Sequence, residues 1–225
     1  MENMSSYDLL IKKLDQFIRK FYLNRLIRGA LYSVAIILGL FLAFNLLEHN
    51  FYFEKGVRKI FFYSFIGVSM ASFSYLVLLP LLKYFRLGSV ISHEQAAGII
   101  GNHFGDVKDR LLNILQLKQQ SSQVADTSLI EASINQKSEE IKPVSFKSAI
   151  DLKKNRKYLK YALPPFLLLL FIVTTAPSLI KDSTHRLINN DKEFERDAPF
   201  HFDLINDDLT VIQYQDYTLD IDVTG

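Results

Sequence analysis

The 225-residue sequence contains no cysteine and no tryptophan, and three long stretches of it contain no charged side chain. The absence of cysteine excludes disulfide bonds, thiolate metal sites and cysteine nucleophiles. The common nucleotide, hydrolase and zinc-protease motifs GxxxxGKS/T, GxSxG and HExxH are absent as well. The sequence therefore predicts no catalytic residue, no cofactor and no metal site.

The three uncharged runs have the length of membrane-spanning helices. Residues 29–47, 60–82 and 161–180 contain 19, 23 and 20 residues without a charge. About 20 apolar residues in a helix cross the roughly 30 Å hydrocarbon core of a bilayer. Helices buried in a soluble core are usually shorter and keep a polar stripe, so that alternative is the weaker one. The first two runs predict a transmembrane hairpin over 29–82, and the third predicts a third spanning helix.

The distribution of basic residues predicts the orientation in the membrane. Lysine and arginine number six in residues 1–28, three in 48–59, thirteen in 83–160 and four in 181–225. Segments rich in Lys and Arg stay in the cytoplasm. We therefore expect a membrane protein with a cytoplasmic N-terminus, a cytoplasmic middle region and a C-terminus on the opposite side of the membrane.

The segments on the predicted cytoplasmic side are expected to be helical. Within residues 1–28, apolar residues recur at helical spacing, which predicts an amphipathic helix. Its apolar face is expected to lie either on the inner leaflet or against the middle region. Residues 83–160 predict a module of short helices, one of them beginning with a capping box at Ser92 to Gln95. The residues expected in the core of this module are Ile99, Ile100, Phe104, Leu111, Leu112, Leu115, Ile130 and Ile134.

Residues 181–225 change in character from a charged linker to alternating apolar and polar residues. The alternation over 200–223 predicts the first strands of an extracytoplasmic β-sandwich. Such strands do not bury a face alone, which suggests that the protein continues beyond Gly225. The predicted fold class is thus a membrane all-α protein with three transmembrane helices and a small cytoplasmic helical module, followed by the start of a β-sandwich-like region.

Small residues recur every four positions in the hairpin. The first run contains Ala35, Gly39 and Ala43, and the second contains Gly67 and Ala71. Such stripes let membrane helices approach closely, although glycine and alanine are also common there without a packing role. Two interpretations are therefore equally supported: the hairpin helices pack closely along these stripes, or the small residues have no packing role.

Two groups of charged residues are candidate binding sites. A metal site is conceivable in the C-terminal segment, but a solvated acidic linker is the stronger interpretation because ligand spacing is lacking. The residues concerned are His185, His201, Asp182, Glu193, Glu195 and Asp197. For the basic cluster from Lys153 to Lys160, contact with anionic lipid is a better explanation than binding of nucleic acid.

Several segments resemble a family of large bacterial inner-membrane proteins of unknown function, whose members are sometimes labelled ATPases. The similar segments are KLDQFIRKFYLNRLIRGAL, IGNHFGDVKDRLLNILQLK, FKSAIDLKKNRKYLKYALPP and APFHFDLINDDLTVIQYQDYTLDIDVTG. The resemblance implies further extracytoplasmic β domains and brings no catalytic motif. The chain has no phosphate-binding loop that would support an ATPase.

The sequence leaves three classes of function open. The first is a non-enzymatic anchor and scaffold that links the cytoplasmic module to extracytoplasmic β structure, with the bilayer and envelope proteins as partners and no nucleic acid. The second is a receptor or regulatory subunit that relays an extracytoplasmic signal. The third is a subunit of a membrane enzyme or transporter, which would need catalytic groups from elsewhere because no uncharged run contains an ionisable residue.

Overall fold

The computed structural model describes residues 5–121, 128–194, 201–206, 210, 213–214, 216 and 218–224. Most of the described chain is helical, and two short strands lie near its C-terminal end. In chain order the elements are α1 (Ser6–Phe51), α2 (Lys55–Phe73), α3 (Leu79–Tyr84), α4 (His93–Gly101), α5 (Val107–Ser121), α6 (Ser128–Ile141), α7 (Leu159–Thr175), α8 (Pro177–Ile188), β1 (His201–Leu204) and β2 (Ile221–Thr224). A single π-helical turn, Ser74–Leu78, joins α2 to α3.

Three helical segments are long and apolar enough to cross a membrane. They are α1, the continuous segment from α2 through α3, and the segment that ends with α7. Their apolar side chains are largely uncovered by protein, and none of the most apolar window in the second segment is buried. This is the exposure expected of helices whose surroundings are apolar. The first two segments contain the uncharged runs 29–47 and 60–82. The third contains the run 161–180 only as far as Thr175, because α7 ends there and the predicted spanning helix does not continue unbroken to residue 180.

Helix α1 is one uninterrupted helix of 46 residues. At 1.5 Å per residue it is about 69 Å long, roughly twice the thickness of a hydrocarbon core. Its start is fixed by a capping box, in which the Ser5 hydroxyl accepts from the Asp8 amide and the Asp8 carboxylate accepts from the Ser5 amide. The amphipathic segment and the first apolar run are therefore parts of one rigid element.

The apolar face of the N-terminal part of α1 packs against the short helices of residues 93–158, which we call the module. Of the two interpretations of this face, the structure shows packing on the module. Leu14 and Phe17 are completely buried there beside Ala97 and Ile114. All eight predicted core residues belong to this core or pack against it, and the capping box at Ser92 is confirmed.

Polar groups on α1 also attach it to the module. The Lys20 ammonium donates to the Lys147 carbonyl at 2.7 Å, and the Lys13 ammonium donates to the carbonyls of Lys142 and Val144. These carbonyls lie in the chain after α6, which ends at Ile141. Two lysines of α1 thus hold this part of the module against the helix.

Asp15 on α1 joins the module to the chain that leaves α3. Its carboxylate accepts a hydrogen bond from His93 at 3.0 Å and forms an ion pair with Arg86. His93 is the first residue of α4, and Arg86 lies in the turn after α3. One carboxylate therefore fixes two elements against α1.

Acidification is expected to weaken this attachment. Partial burial of Asp15 opposes its ionisation, but hydrogen bonds from His93 and Arg86 lower the pKa of its carboxyl below the ordinary value. A carboxyl with a lowered folded pKa stabilises the fold above its unfolded pKa of about 4, and that stability is lost as the pH falls through the folded pKa. Urea unfolding of the module between about pH 6 and pH 3 should show this loss, and Asp15→Asn should reduce it. Parallel loss in both proteins would contradict the assignment.

The two helices of the hairpin touch closely at one point near the module. Pro80 has no N–H to donate to the carbonyl of Leu76, four residues earlier, and the π-helical turn lies at this place. A Cβ added to Gly29 of α1 would lie 1.8 Å from that carbonyl oxygen, so only glycine fits there. One turn along α1, the hydroxyls of Ser33 and Ser72 are 3.4 Å apart.

The small-residue stripes do not form the close contact. A Cβ added to Gly39 or Gly67 would meet no atom within 4 Å, and Ala43, Gly67 and Ala71 are exposed. The packing interpretation is therefore wrong for these positions. Regular four-residue spacing is frequent in membrane helices because small residues are common in them, and here the contact follows from Pro80 instead.

The third apolar segment does not end in a solvated linker. Helix α7 ends at Thr175, and after Ala176 the chain continues as α8 to Ile188. Ser183, Arg186 and Leu187 of α8 are buried against the hairpin. The expectation of a linker beginning at residue 181 is wrong, because α8 is amphipathic and its buried charge has a partner far away in sequence.

Strands β1 and β2 form an antiparallel two-stranded ribbon, in which Phe202 pairs with Val223 and Leu204 pairs with Ile221. Paired residues and alternate residues share a face of a sheet. These four apolar side chains therefore lie on one face, and all four are exposed. The predicted alternation is confirmed over these eight residues, whereas the structure contains no β-sandwich among the residues it describes.

Candidate functional site

The ends of α1, α2 and α8 that lie far from the module meet around the hairpin turn, which we call the hairpin end. Only Tyr52 to Glu54 separate α1 from α2, so the loop expected over residues 48–59 is mostly helical. Tyr52 ends α1 in the left-handed conformation, with φ of 49°, and its amide donates to the Glu48 carbonyl at 3.0 Å. This tight turn places the first residues of α2 beside the last turn of α1.

Three charged side chains are buried together at the hairpin end. The Oε1 atom of Glu48 on α1 lies 3.1 Å from Nε of Arg58 on α2 and 3.0 Å from Nε of Arg186 on α8. The exposed fractions of the three residues are 0%, 2% and 7%. We call them the charge cluster. One carboxylate thus joins three helices, and two guanidinium groups against one carboxylate leave one positive charge.

The two arginines differ in how they are held. Arg186 Nε donates a hydrogen bond to Glu48, whereas Arg58 Nε lies at ion-pair distance without hydrogen-bond geometry. Arg58 instead donates through Nη1 to the Lys192 carbonyl at 3.1 Å. Arg58 therefore also fixes the chain that follows α8.

Aromatic rings cover both guanidinium groups. Arg186 lies 4.2 Å from the ring centre of Tyr52, and Arg58 lies 5.0 Å from the ring centre of Phe194. Cations are attracted to aromatic faces, more strongly where water is excluded. The left-handed turn at Tyr52 thus supplies the ring that shields Arg186.

Polar contacts continue on both sides of the charge cluster. One turn nearer the module, the Thr184 hydroxyl donates to Asn45 Oδ1 at 2.7 Å. On the surface, Lys55 lies 2.8 Å from Glu193, and this hydrogen bond lowers the pKa of the Glu193 carboxyl below its ordinary value. Helix α8 is therefore attached to α1 by a column of polar groups.

Three buried polar atoms at the hairpin end have no hydrogen-bond partner among the described residues. They are Oε2 of Glu48, Nδ1 of the neighbouring His49 and Nε of Arg58. Buried polar atoms without partners are rare and costly. The arrangement fixes helices relative to one another, and its energy depends on charge balance within a space that excludes water.

Three of the six candidate metal ligands, Asp182, His185 and Glu193, have side chains in the described part of the chain. Among the described residues, no three His, Asp or Glu side chains form a group able to hold a metal ion. The His185 ring instead packs edge-on against Phe194, with 5.6 Å between ring centres. Glu195 and Asp197 lie outside the described residues.

Sequence reasoning did not identify the charge cluster. Glu48 and Arg58 were assigned to a solvated loop and Arg186 to a solvated linker, because charged residues next to apolar runs usually face water. A scan against models of known protein families, curated proteins and solved structures found no match to this chain. The family resemblance noted above stays a prediction. The sequence does contain one signal of the cluster. Glu48 directly follows the first apolar run and continues its helical register, which places it on the same helix.

Proposed function

We propose that this protein is a non-enzymatic anchor and scaffold of a bacterial inner membrane. In this proposal the three apolar segments cross the bilayer, the module lies in the cytoplasm, and the hairpin end and the ribbon lie in the periplasm. The excess of Lys and Arg near the module supports this orientation.

The observation that carries the proposal is the continuity of α1. Its N-terminal part contributes buried residues to the module, and its last turn contributes Glu48 to the charge cluster. A single helix without a break transmits position and orientation between both ends, because sharp bends in helices arise at proline, at glycine or serine pairs, or at π-bulges. In this proposal α1 acts as a strut between the two compartments.

Exposed apolar side chains outside the three apolar segments indicate where partners bind. Leu129 on α6 is 82% exposed, and Val223 on the ribbon is 57% exposed among apolar neighbours. A small apolar face on a two-stranded ribbon gains stability when other structure covers it. We infer that the ribbon face receives envelope protein structure.

The proposal is tested by photo-crosslinking in native membranes. A photoreactive amino acid at Leu129 and another at Val223 should capture a cytoplasmic and a periplasmic protein, and a chain carrying both should give a ternary product. The same amino acid at Ile114, which is completely buried, serves as the matched control and should capture no second protein. Loss of the ternary product while both single products form would contradict a scaffold.

A further inference from the structure

A cavity of about 410 Å³ lies where α1, α3 and the start of α7 converge near the module. Its cationic lining residues are Arg25, Arg28 and Lys83, and the tyrosines Tyr22, Tyr32, Tyr75 and Tyr158 line it as well. No acidic residue lines it. This volume lies within the range of small-ligand sites, about 300 to 1,000 Å³.

The three cations are not neutralised by protein. In residues 5–121 and 128–194, none of them forms an ion pair with a carboxylate. Each cation lies near an aromatic ring: Arg25 is 5.7 Å from the ring centre of Phe21, Arg28 is 5.9 Å from that of Tyr158, and Lys83 is 6.0 Å from that of Tyr22. A hydrogen bond from Arg28 lowers the pKa of the Tyr158 hydroxyl below its ordinary value. Converging cations without a counter-charge favour an anion between them.

The base of the cavity is rigid and partly apolar. The contact between Gly29 and Leu76 closes it, and Leu79 and Pro80 line it beside that contact. Two of its lining residues, Leu79 and Tyr75, are 44% and 72% exposed. In the proposed membrane embedding these exposed side chains meet lipid, so an acyl chain attached to a headgroup in the cavity would lie against them.

The depth of the cavity matches the phosphate level of a membrane. Arg25 and Arg28 are the last charged residues before the uncharged run 29–47, and Lys83 is the first charged residue after the run 60–82. In the proposed orientation they lie at the cytoplasmic interface, where basic pockets between helices bind lipid headgroups. We infer that this cavity binds the phosphate of an anionic phospholipid headgroup. The inference rests on the proposed membrane embedding and not on the scaffold role.

The inference is tested by native mass spectrometry of the whole chain in neutral detergent with equal amounts of phosphatidylglycerol and phosphatidylcholine. Bound phosphatidylglycerol should predominate. Arg25→Gln/Arg28→Gln/Lys83→Gln removes the three cavity charges. Lys12→Gln/Lys108→Gln/Arg110→Gln removes three exposed charges outside the cavity and outside the basic cluster Lys153 to Lys160, and is the matched control. The ratio of bound phosphatidylglycerol to bound phosphatidylcholine should fall about tenfold more in the first variant than in the control. A tenfold change corresponds to the loss of one or more charge-assisted contacts.

Each outcome decides the inference. An equal loss in both triple variants would show general attraction to basic residues and overturn a site, as would the absence of a preference in the unaltered chain. Millimolar inorganic phosphate or glycerol phosphate that displaces the lipid would overturn the lipid assignment. The single variant Lys83→Gln tests the same cavity if the triple variant fails to fold, and it should lose about threefold to tenfold of the preference. Failure of the scaffold proposal would leave this result unaffected.

Discussion

Replacing Glu48 by glutamine is expected to destabilise the hairpin end by about 3 to 5 kcal/mol. Glu48 is completely buried and lies at ion-pair distance from Arg58 and Arg186. Glutamine keeps the shape but leaves two buried guanidinium groups without a counter-charge. The free energy of unfolding in mixed micelles, titrated with denaturant, measures the effect.

A further variant distinguishes the effect of unpaired buried charges from an effect of lost packing. A triple variant, Glu48→Gln/Arg58→Met/Arg186→Met, removes the uncompensated charges and should recover part of the stability, because apolar replacements of buried ion pairs are often tolerated. Lys55→Gln breaks only the exposed pair with Glu193 and should leave stability nearly unchanged. Equal stability of Glu48→Gln and the unaltered chain would show that the cluster does not fix α8.

The position of α8 gives a second readout of the same change. The chain has no cysteine, so cysteines introduced at Asn45 and Thr184, whose Oδ1 and Oγ1 atoms are 2.7 Å apart, are the one pair that a short bifunctional thiol reagent can join. We expect rapid crosslinking in the parent chain and slow crosslinking with Glu48→Gln. Unchanged crosslinking would mean that α8 stays in place without the carboxylate.

Replacing Gly29 by alanine is the second large effect that we expect. The new methyl group would lie 1.8 Å from the Leu76 carbonyl oxygen, far inside the normal contact distance of about 3.5 Å. The obstacle is backbone, so the helices themselves must separate. Overpacking of this kind costs about 1 to 3 kcal/mol or more, although alanine favours a helix over glycine by about 1 kcal/mol.

Gly39 provides the matched control for this prediction. It lies on the same helix within an apolar run, and a Cβ there would meet no atom within 4 Å. Gly39→Ala should therefore be neutral or slightly stabilising in the same denaturant titration. A Gly29→Ala chain as stable as Gly39→Ala would contradict the close contact of α1 with the π-helical turn.

Features that depend on neighbouring residues could be predicted from the sequence. Uncharged runs located the three apolar helices, the Ser92 to Gln95 pattern located the start of α4, and helical periodicity identified Ile100 and Leu111 as core. Each of these signals lies within one helix. Local chemistry decides such features before any tertiary contact forms.

Features that depend on distant partners could not be predicted. Arg186 is 138 residues from Glu48, and nothing in KDSTHRLI indicates that its arginine meets a buried carboxylate. Pro80 predicts that the Leu76 carbonyl loses its donor, but no local pattern shows that Gly29 faces it. Local patterns therefore favour solvated surface for the residues of the charge cluster, and they leave the stripe of Gly39 as only one of two equal interpretations of the helix contact.

Cysteine labelling in intact cells tests the membrane arrangement most directly. The cysteine-free chain accepts one probe at Gly56, where a Cβ has open space, or at the exposed Lys153 of the module. An impermeant maleimide applied to cells with a permeable outer membrane should label Gly56→Cys at once and Lys153→Cys only after lysis. Labelling of Lys153→Cys in intact cells, or extraction of the chain from membranes by alkaline carbonate, would contradict the account.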